Sequence, residues 1–162
     1  MTSDCSSKSS GTSRTLLSQG VAFLARREYS RRQLRERLLE RIDGVRQTSD
    51  DVDQALDKLE AKGYLSDERF AQALCRVLSK RYGNVRLAVQ LRQAGISQEI
   101  SDKVIQAQEG ELDRALDVWH KRFHTAPESD KERARQIRFL GSRGFPYDII
   151  RRVLDAAPKS SD

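Results

Sequence analysis

Residues 49–71 read SDDVDQALDKLEAKGYLSDERFA, and the order of signals in this stretch decides the fold class. Val52, Ala55, Leu56 and Leu59 fall at i, i+3, i+4 and i+7, the spacing that lines one face of a helix. Ser49 predicts the start of that helix, with the Asp50 and Asp51 carboxylates complementing the positive end of its dipole. Gly63 predicts its end, because glycine adopts the left-handed C-cap conformation without a Cβ penalty. Almost at once Ser66, followed by Asp67 and Glu68, opens a new helix bearing Phe70, Leu74, Val77 and Leu78. A chain that closes one helix and caps the next within so short a span predicts helix packed on helix, with no intervening strand.

The same punctuation extends in both directions. Upstream, a helix over about 15–28 carries Leu17, Val21 and Leu24, and Ser30 with Gln33 reads as a capping box opening a second helix with Leu34 and Leu38. Downstream, Leu87 and Leu91 precede Gly95, and Ser97 opens a helix with Ile100, Val104 and Ala107. Leu112, Ala115, Leu116, Trp119 and Phe123 share a stripe up to the break at Pro127. Ser129 with Glu132 reads as another capping box, leading through Ile137 and Leu140 to Gly144, and Pro146 at a first-turn position opens a last helix with Ile149, Ile150, Val153 and Leu154.

These segments repeat. Tyr29-Ser30-x3-Leu34-x3-Leu38 matches Tyr82-Gly83-x3-Leu87-x3-Leu91, and Leu91-x3-Gly95-Ile96-Ser97-x2-Ile100 matches Leu140-x3-Gly144-Phe145-Pro146-x2-Ile149. A three-helix unit recurring at roughly 45 residues lies in the range of helical repeat proteins. The expected fold is all-α: three tandem three-helix repeats at 15–65, 66–108 and 109–157, stacked as an extended, curved solenoid. A disordered polar tail over 1–14 and a short tail over 158–162 are expected to flank it.

Composition narrows the function. The chain has 162 residues, 37% hydrophobic and 33% charged, enough for a thin core only. No apolar run approaches the roughly 20 residues that cross a bilayer, and the polar, Ser-rich N-terminal stretch has no apolar signal core, so a cytoplasmic protein without membrane contact is expected. Cys5 and Cys75 are the only cysteines, too few for a disulfide framework or a thiolate metal cage. His120 and His124 stand at i, i+4 and can face one metal ion, but no His-Glu-x2-His, third neighbouring His or Gly-rich phosphate loop accompanies them. Neither a catalytic role nor a cofactor is expected. Net charge is +6 and is distributed in blocks: nine basic and four acidic residues over 14–48, three basic and seven acidic over 49–75, five basic and no acid over 76–98. A basic face of this kind attracts nucleic acid or an acidic protein surface; the plainer reading is solvated helix surface balanced by the acidic block.

Arg27-Glu28-Tyr29-Ser30-x3-Leu34, Gly63-Tyr64-Leu65-Ser66-Asp67-Glu68-Arg69-Phe70-Ala71, Tyr82-Gly83-x2-Arg86-Leu87-x3-Leu91-x3-Gly95-Ile96 and Phe139-Leu140-x2-Arg143-Gly144-Phe145, in that order and spacing, resemble the RecX family. The likeness spans about 17–157. Ser66 departs from it, since the family more often has an acid there; serine caps a helix as well as aspartate does. The resemblance implies a regulator that binds RecA and the RecA filament on single-stranded DNA and restrains its ATPase and strand-exchange activities in DNA repair. It also implies three tandem three-helix repeats, in agreement with the periodicity. A monomer is expected. The candidate contact residues are Arg26, Arg27, Arg31, Arg32 and Arg35 at the first helix corner and Lys80, Arg81 and Arg86 at the second, because arginine suits bidentate contact to carboxylate or phosphate. Plain solvated surface remains the competing reading for each. Tyr64, Phe70 and Phe145 are expected in the core rather than as base-stacking platforms. The alternative function is a helix-turn-helix-like module that binds DNA directly and weakly through phosphates.

Far-ultraviolet circular dichroism is expected to show helix without sheet, and small-angle scattering a particle longer than a sphere of equal mass. A compact globule rejects the solenoid.

Overall fold

The structure is a computed structural model that describes residues 15–158. The expectations for Cys5 and for the two tails, 1–14 and 159–162, lie outside the described residues. Among the described residues there are nine helices and no strand: α1 (Leu16–Leu24), α2 (Arg31–Leu39), α3 (Ser49–Ala61), α4 (Asp67–Leu78), α5 (Asn84–Gln93), α6 (Gln98–Gln106), α7 (Glu111–His120), α8 (Asp130–Ser142) and α9 (Tyr147–Ala156). The chain is all-α, and the helices pack in threes, α1 to α3, α4 to α6 and α7 to α9, as a tandem array. Each triplet has its own apolar cluster, centred on Leu34, Leu56 and Leu59 in the first, Phe70, Leu87 and Leu91 in the second, and Trp119, Leu140 and Val153 in the third.

The caps explain where the helices begin, with corrections to the expected residues. The α3 cap is Thr48 and not Ser49: the Thr48 hydroxyl accepts from the Asp51 amide, and the Asp51 carboxylate accepts from the Thr48 amide at 2.8 Å. Ser30 caps α2 by accepting from the Gln33 amide at 3.1 Å, but the return bond of a capping box is not made. The Ser129 hydroxyl accepts from the Glu132 amide, while the Glu132 carboxylate reaches the Glu128 amide rather than that of Ser129. Pro146 is the N-cap of α9, one position before its first turn.

Three expected core residues lie outside. Val21 is exposed because α1 turns Gly20 toward α3, and a Cβ on Gly20 would stand 2.5 Å from Leu59 Cδ1. The bare backbone there sets how closely α1 and α3 pack. Val77 is 65% exposed: α4 buries Phe70, Ala71 and Cys75, and Val77 lies beyond the Phe70 edge of that arc. Tyr64 is 52% exposed, since the chain leaving Gly63 tucks Leu65, not Tyr64, into the first core. Phe70 and Phe145 are buried as expected.

The units meet at a corner that occurs twice. At the first, the Arg31 amide at the start of α2 donates to the Asp67 carboxylate at the start of α4 (2.7 Å), and the Ser30 hydroxyl donates to the Ala94 carbonyl (2.6 Å). At the second, the Asn84 amide at the start of α5 donates to the Glu111 carboxylate at the start of α7, again at 2.7 Å. The Gly83 and Val85 amides donate to the Arg143 and Gly144 carbonyls (2.9 and 3.3 Å). The loop glycine packs against the neighbouring unit in both: Gly95 (φ 81°) against the Arg32 side chain, Gly144 (φ 81°) against Arg86. The serine of the first corner is glycine in the second because a Cβ on Gly83 would collide with the Gly144 carbonyl.

Arginines on the first helix of the following unit reinforce these corners. Arg69 of α4 bonds Glu28 (2.7 Å) and the Gly63 and Tyr64 carbonyls (3.0 and 2.8 Å). Arg114 of α7 is buried and donates to the Glu109, Ser79 and Tyr82 carbonyls and to the Asn84 side chain. Burial lowers the pKa of this guanidinium, and the charge of the nearby Glu111 and Glu109 carboxylates opposes the shift. Two of its partners, the Ser79 and Tyr82 carbonyls, lie just past the end of α4, where the helix dipole is negative.

Leu56→Ala is expected to cost roughly 2–5 kcal/mol in denaturant unfolding by opening a cavity, and Val77→Ala to stay within about 0.5 kcal/mol. Equal costs would mean that the α4 face is misassigned. Gly144→Ala should destabilise more than Gly63→Ala: both glycines have positive φ, worth about 1–2 kcal/mol against a Cβ. Only at Gly144 would the new Cβ also meet backbone, 2.6 Å from the Arg86 nitrogen, whereas nothing lies within 4 Å at Gly63.

Candidate partner-binding surface

The structure separates the eight candidate basic residues by what already holds them. Arg31 on α2 bridges Asp57 (2.7 Å) and Glu60 (2.6 Å) of α3. Burial lowers its pKa, but bonding and charge from these two carboxylates outweigh that and leave it raised. Arg35, one turn on, grips both oxygens of Asp53 at 2.7 and 3.1 Å, which holds the Asp53 carboxyl below its ordinary range. These two arginines fasten α2 to α3 across the first unit. Arg32 is exposed, pairs with Glu36 at 3.2 Å and lays its stem over Gly95 of the second unit. Arg26 and Arg27 are exposed just beyond the end of α1, with the Arg27 guanidinium 4.0 Å from the Tyr29 ring centroid. The acidic block over 49–75 is therefore the intramolecular counterpart of part of the basic block before it.

At the second corner the arrangement differs. Arg86 lies over the Tyr82 ring at 4.9 Å and reaches the Ser142 carbonyl at 3.5 Å. Lys80 and Arg81, just past the end of α4, line an open groove of about 560 Å³ together with Val118, Lys121, Arg122, Phe139 and Arg143 of the third unit. None of the ion pairs among the described residues uses a cation of this groove. The structure thus joins Lys80 and Arg81 to Lys121, Arg122 and Arg143, which sequence reasoning did not select. One signal was available: all five follow a helix end directly, where cations complement the negative end of the dipole. Arg114 had no such signal, being one arginine amid an apolar stripe.

His120 and His124 are both exposed, and among the described residues no cluster of three metal-ligating side chains is present. Among those residues no helix is long and apolar enough to cross a membrane. Cys75 is buried in the second core, and that burial pushes the pKa of its thiol up.

Known proteins resemble this chain in sequence. The model of the second three-helix domain of RecX matches residues 66–105, which include α4, α5 and most of α6. The model of the third matches residues 109–154, spanning α7, α8 and most of α9. The chain is 37% identical over 141 residues to the regulatory protein RecX of Chromobacterium violaceum, covering 87% of this chain and 90% of that one. It is 35% identical over 144 residues to that of Ralstonia nicotianae, covering 88% of each, and 30% identical over 144 residues to that of Neisseria meningitidis, covering 89% and 92%. With the matched domains on successive helix triplets and the likeness running through nearly the whole chain, this protein belongs to the RecX family of regulatory proteins.

Proposed function

We propose that this chain binds RecA, above all the filament that RecA forms on single-stranded DNA, and lowers its ATPase and strand-exchange activities. The observation that carries the reading is membership of a family of regulatory proteins along nearly the whole chain. The physical account rests on the array. A helical filament repeats the same surface from subunit to subunit, and a tandem chain of units joined by two alike corners presents more than one contact to it, which raises avidity without any single strong site. Binding shifts the filament toward the conformation that the array fits, by no more than its differential affinity for the two states. In this reading the protein acts as a cytoplasmic monomer without a cofactor and hydrolyses nothing itself.

Candidate contacts in the first unit are Arg26, Arg27 and Arg32, because Arg31 and Arg35 are committed to α3. The same commitment weighs against the alternative of α2 as a DNA-reading helix, since its central arginines turn toward their own unit.

Added to RecA filaments on single-stranded DNA, the protein should depress ATP hydrolysis, and RecA should retain it in a pull-down. Arg26→Glu with Arg27→Glu should weaken inhibition, most at low ionic strength, while the melting temperature holds. Arg31→Glu should instead lower the melting temperature, because it sets a third carboxylate against Asp57 and Glu60. No retention and unchanged ATPase at every concentration would reject the function.

A further inference from the structure

The groove between the second and third units gathers cations from three helix ends: Lys80 and Arg81 after α4, Lys121 and Arg122 after α7, and Arg143 after α8. Dipole complementation explains part of this charge. Three helix C-termini supply about −0.5 each, roughly −1.5 in all, against five full positive charges. The seven lining residues include no carboxylate. Glu109 and Asp117 line a smaller neighbouring pocket with Lys80 and Lys121, but neither forms an ion pair with them. At the first corner, by contrast, Asp53, Asp57 and Glu60 answer Arg35 and Arg31.

The floor of the groove says what kind of anion fits. Val118 is buried, and Phe139 is covered by the Arg143 guanidinium, 3.9 Å from its centroid, and set edge-on to Phe123 at 5.1 Å. With that face occupied, the ring is a poor platform for a stacked base. A volume of about 560 Å³ has room for a short run of one strand. We propose that this groove holds the sugar–phosphate backbone of a nucleic-acid single strand, its five cations contacting phosphates without reading sequence. This contact belongs to the chain on its own and is measured without RecA, so its failure is distinguishable from failure of the proposed RecA binding.

The test is fluorescence anisotropy of the full chain with a dye-labelled thymidine oligonucleotide across a salt series, beside a duplex of equal length and a polyglutamate of equal charge. Single strands lose about 0.7 in the log–log salt slope per phosphate contact, so five contacts give roughly −3.5. Lys121→Gln with Arg122→Gln should bring the slope to about −2.1 and weaken binding about tenfold at 0.1 M salt. Lys58→Gln with Lys62→Gln, exposed on and just after α3, removes the same charge and should change affinity less than about threefold. If the first pair fails to fold, Lys80→Gln with Arg81→Gln makes the same test. Equal weakening by the groove and control pairs, duplex bound as tightly as single strand, polyglutamate bound as tightly with the same loss, or no binding to the oligonucleotide each overturns the proposal.

Discussion

The amides that begin α2 and α5 are satisfied by carboxylates from the next unit, Asp67 for Arg31 and Glu111 for Asn84, each at 2.7 Å. A helix start leaves amide hydrogens without intrahelical partners, and here one of them is closed only when the following unit is in place. The charge-assisted bond is stronger than a neutral one, and it fixes the start of one helix against the start of another. The loop glycines, Gly95 and Gly144, let the neighbouring helix approach closely enough for this to happen. Separate three-helix cores thereby become an array, because each unit completes the hydrogen bonding of the one before it.

The corner also decides how charge is spent. In the first unit, arginine and acid face each other across α2 and α3, so a basic and an acidic block in the chain become an internal seam. In the third unit the long cationic side chains follow helix ends and point into an open groove, with Arg143 laid over Phe139. The same residue type holds the fold in one place and lines an open groove in the other. The difference lies in which helix face the acids occupy, and α3 carries Asp53, Asp57 and Glu60 along the side that meets α2. Arg114 takes a third course, buried and bonded to carbonyls, where it ties the end of α4 to α7.

The sequence by itself determined the helices and their grouping. Serine caps, glycine ends and the i, i+3, i+4 stripes are local, so they can be read from neighbours in the chain, and the match of Tyr29-Ser30 to Tyr82-Gly83 located both corners. Where these signals competed at short range, as between Thr48 and Ser49, backbone geometry settled which hydroxyl reaches the amide two or three positions on. Which apolar residue lies on the inner arc was less legible: Val21 and Val77 have the right period but the wrong phase, because Gly20 and Phe70 set the rotation of α1 and α4 against their neighbours. The tertiary structure alone decided which cations are spoken for. Arg31 and Arg35 looked the same in the chain as Lys80 and Arg81, and only packing could show that Asp57, Glu60 and Asp53 meet the first pair while Lys121, Arg122 and Arg143 gather around the second. Charge acts through space at distances of a few ångströms, and residues that far apart in space here stand tens of positions apart in the chain.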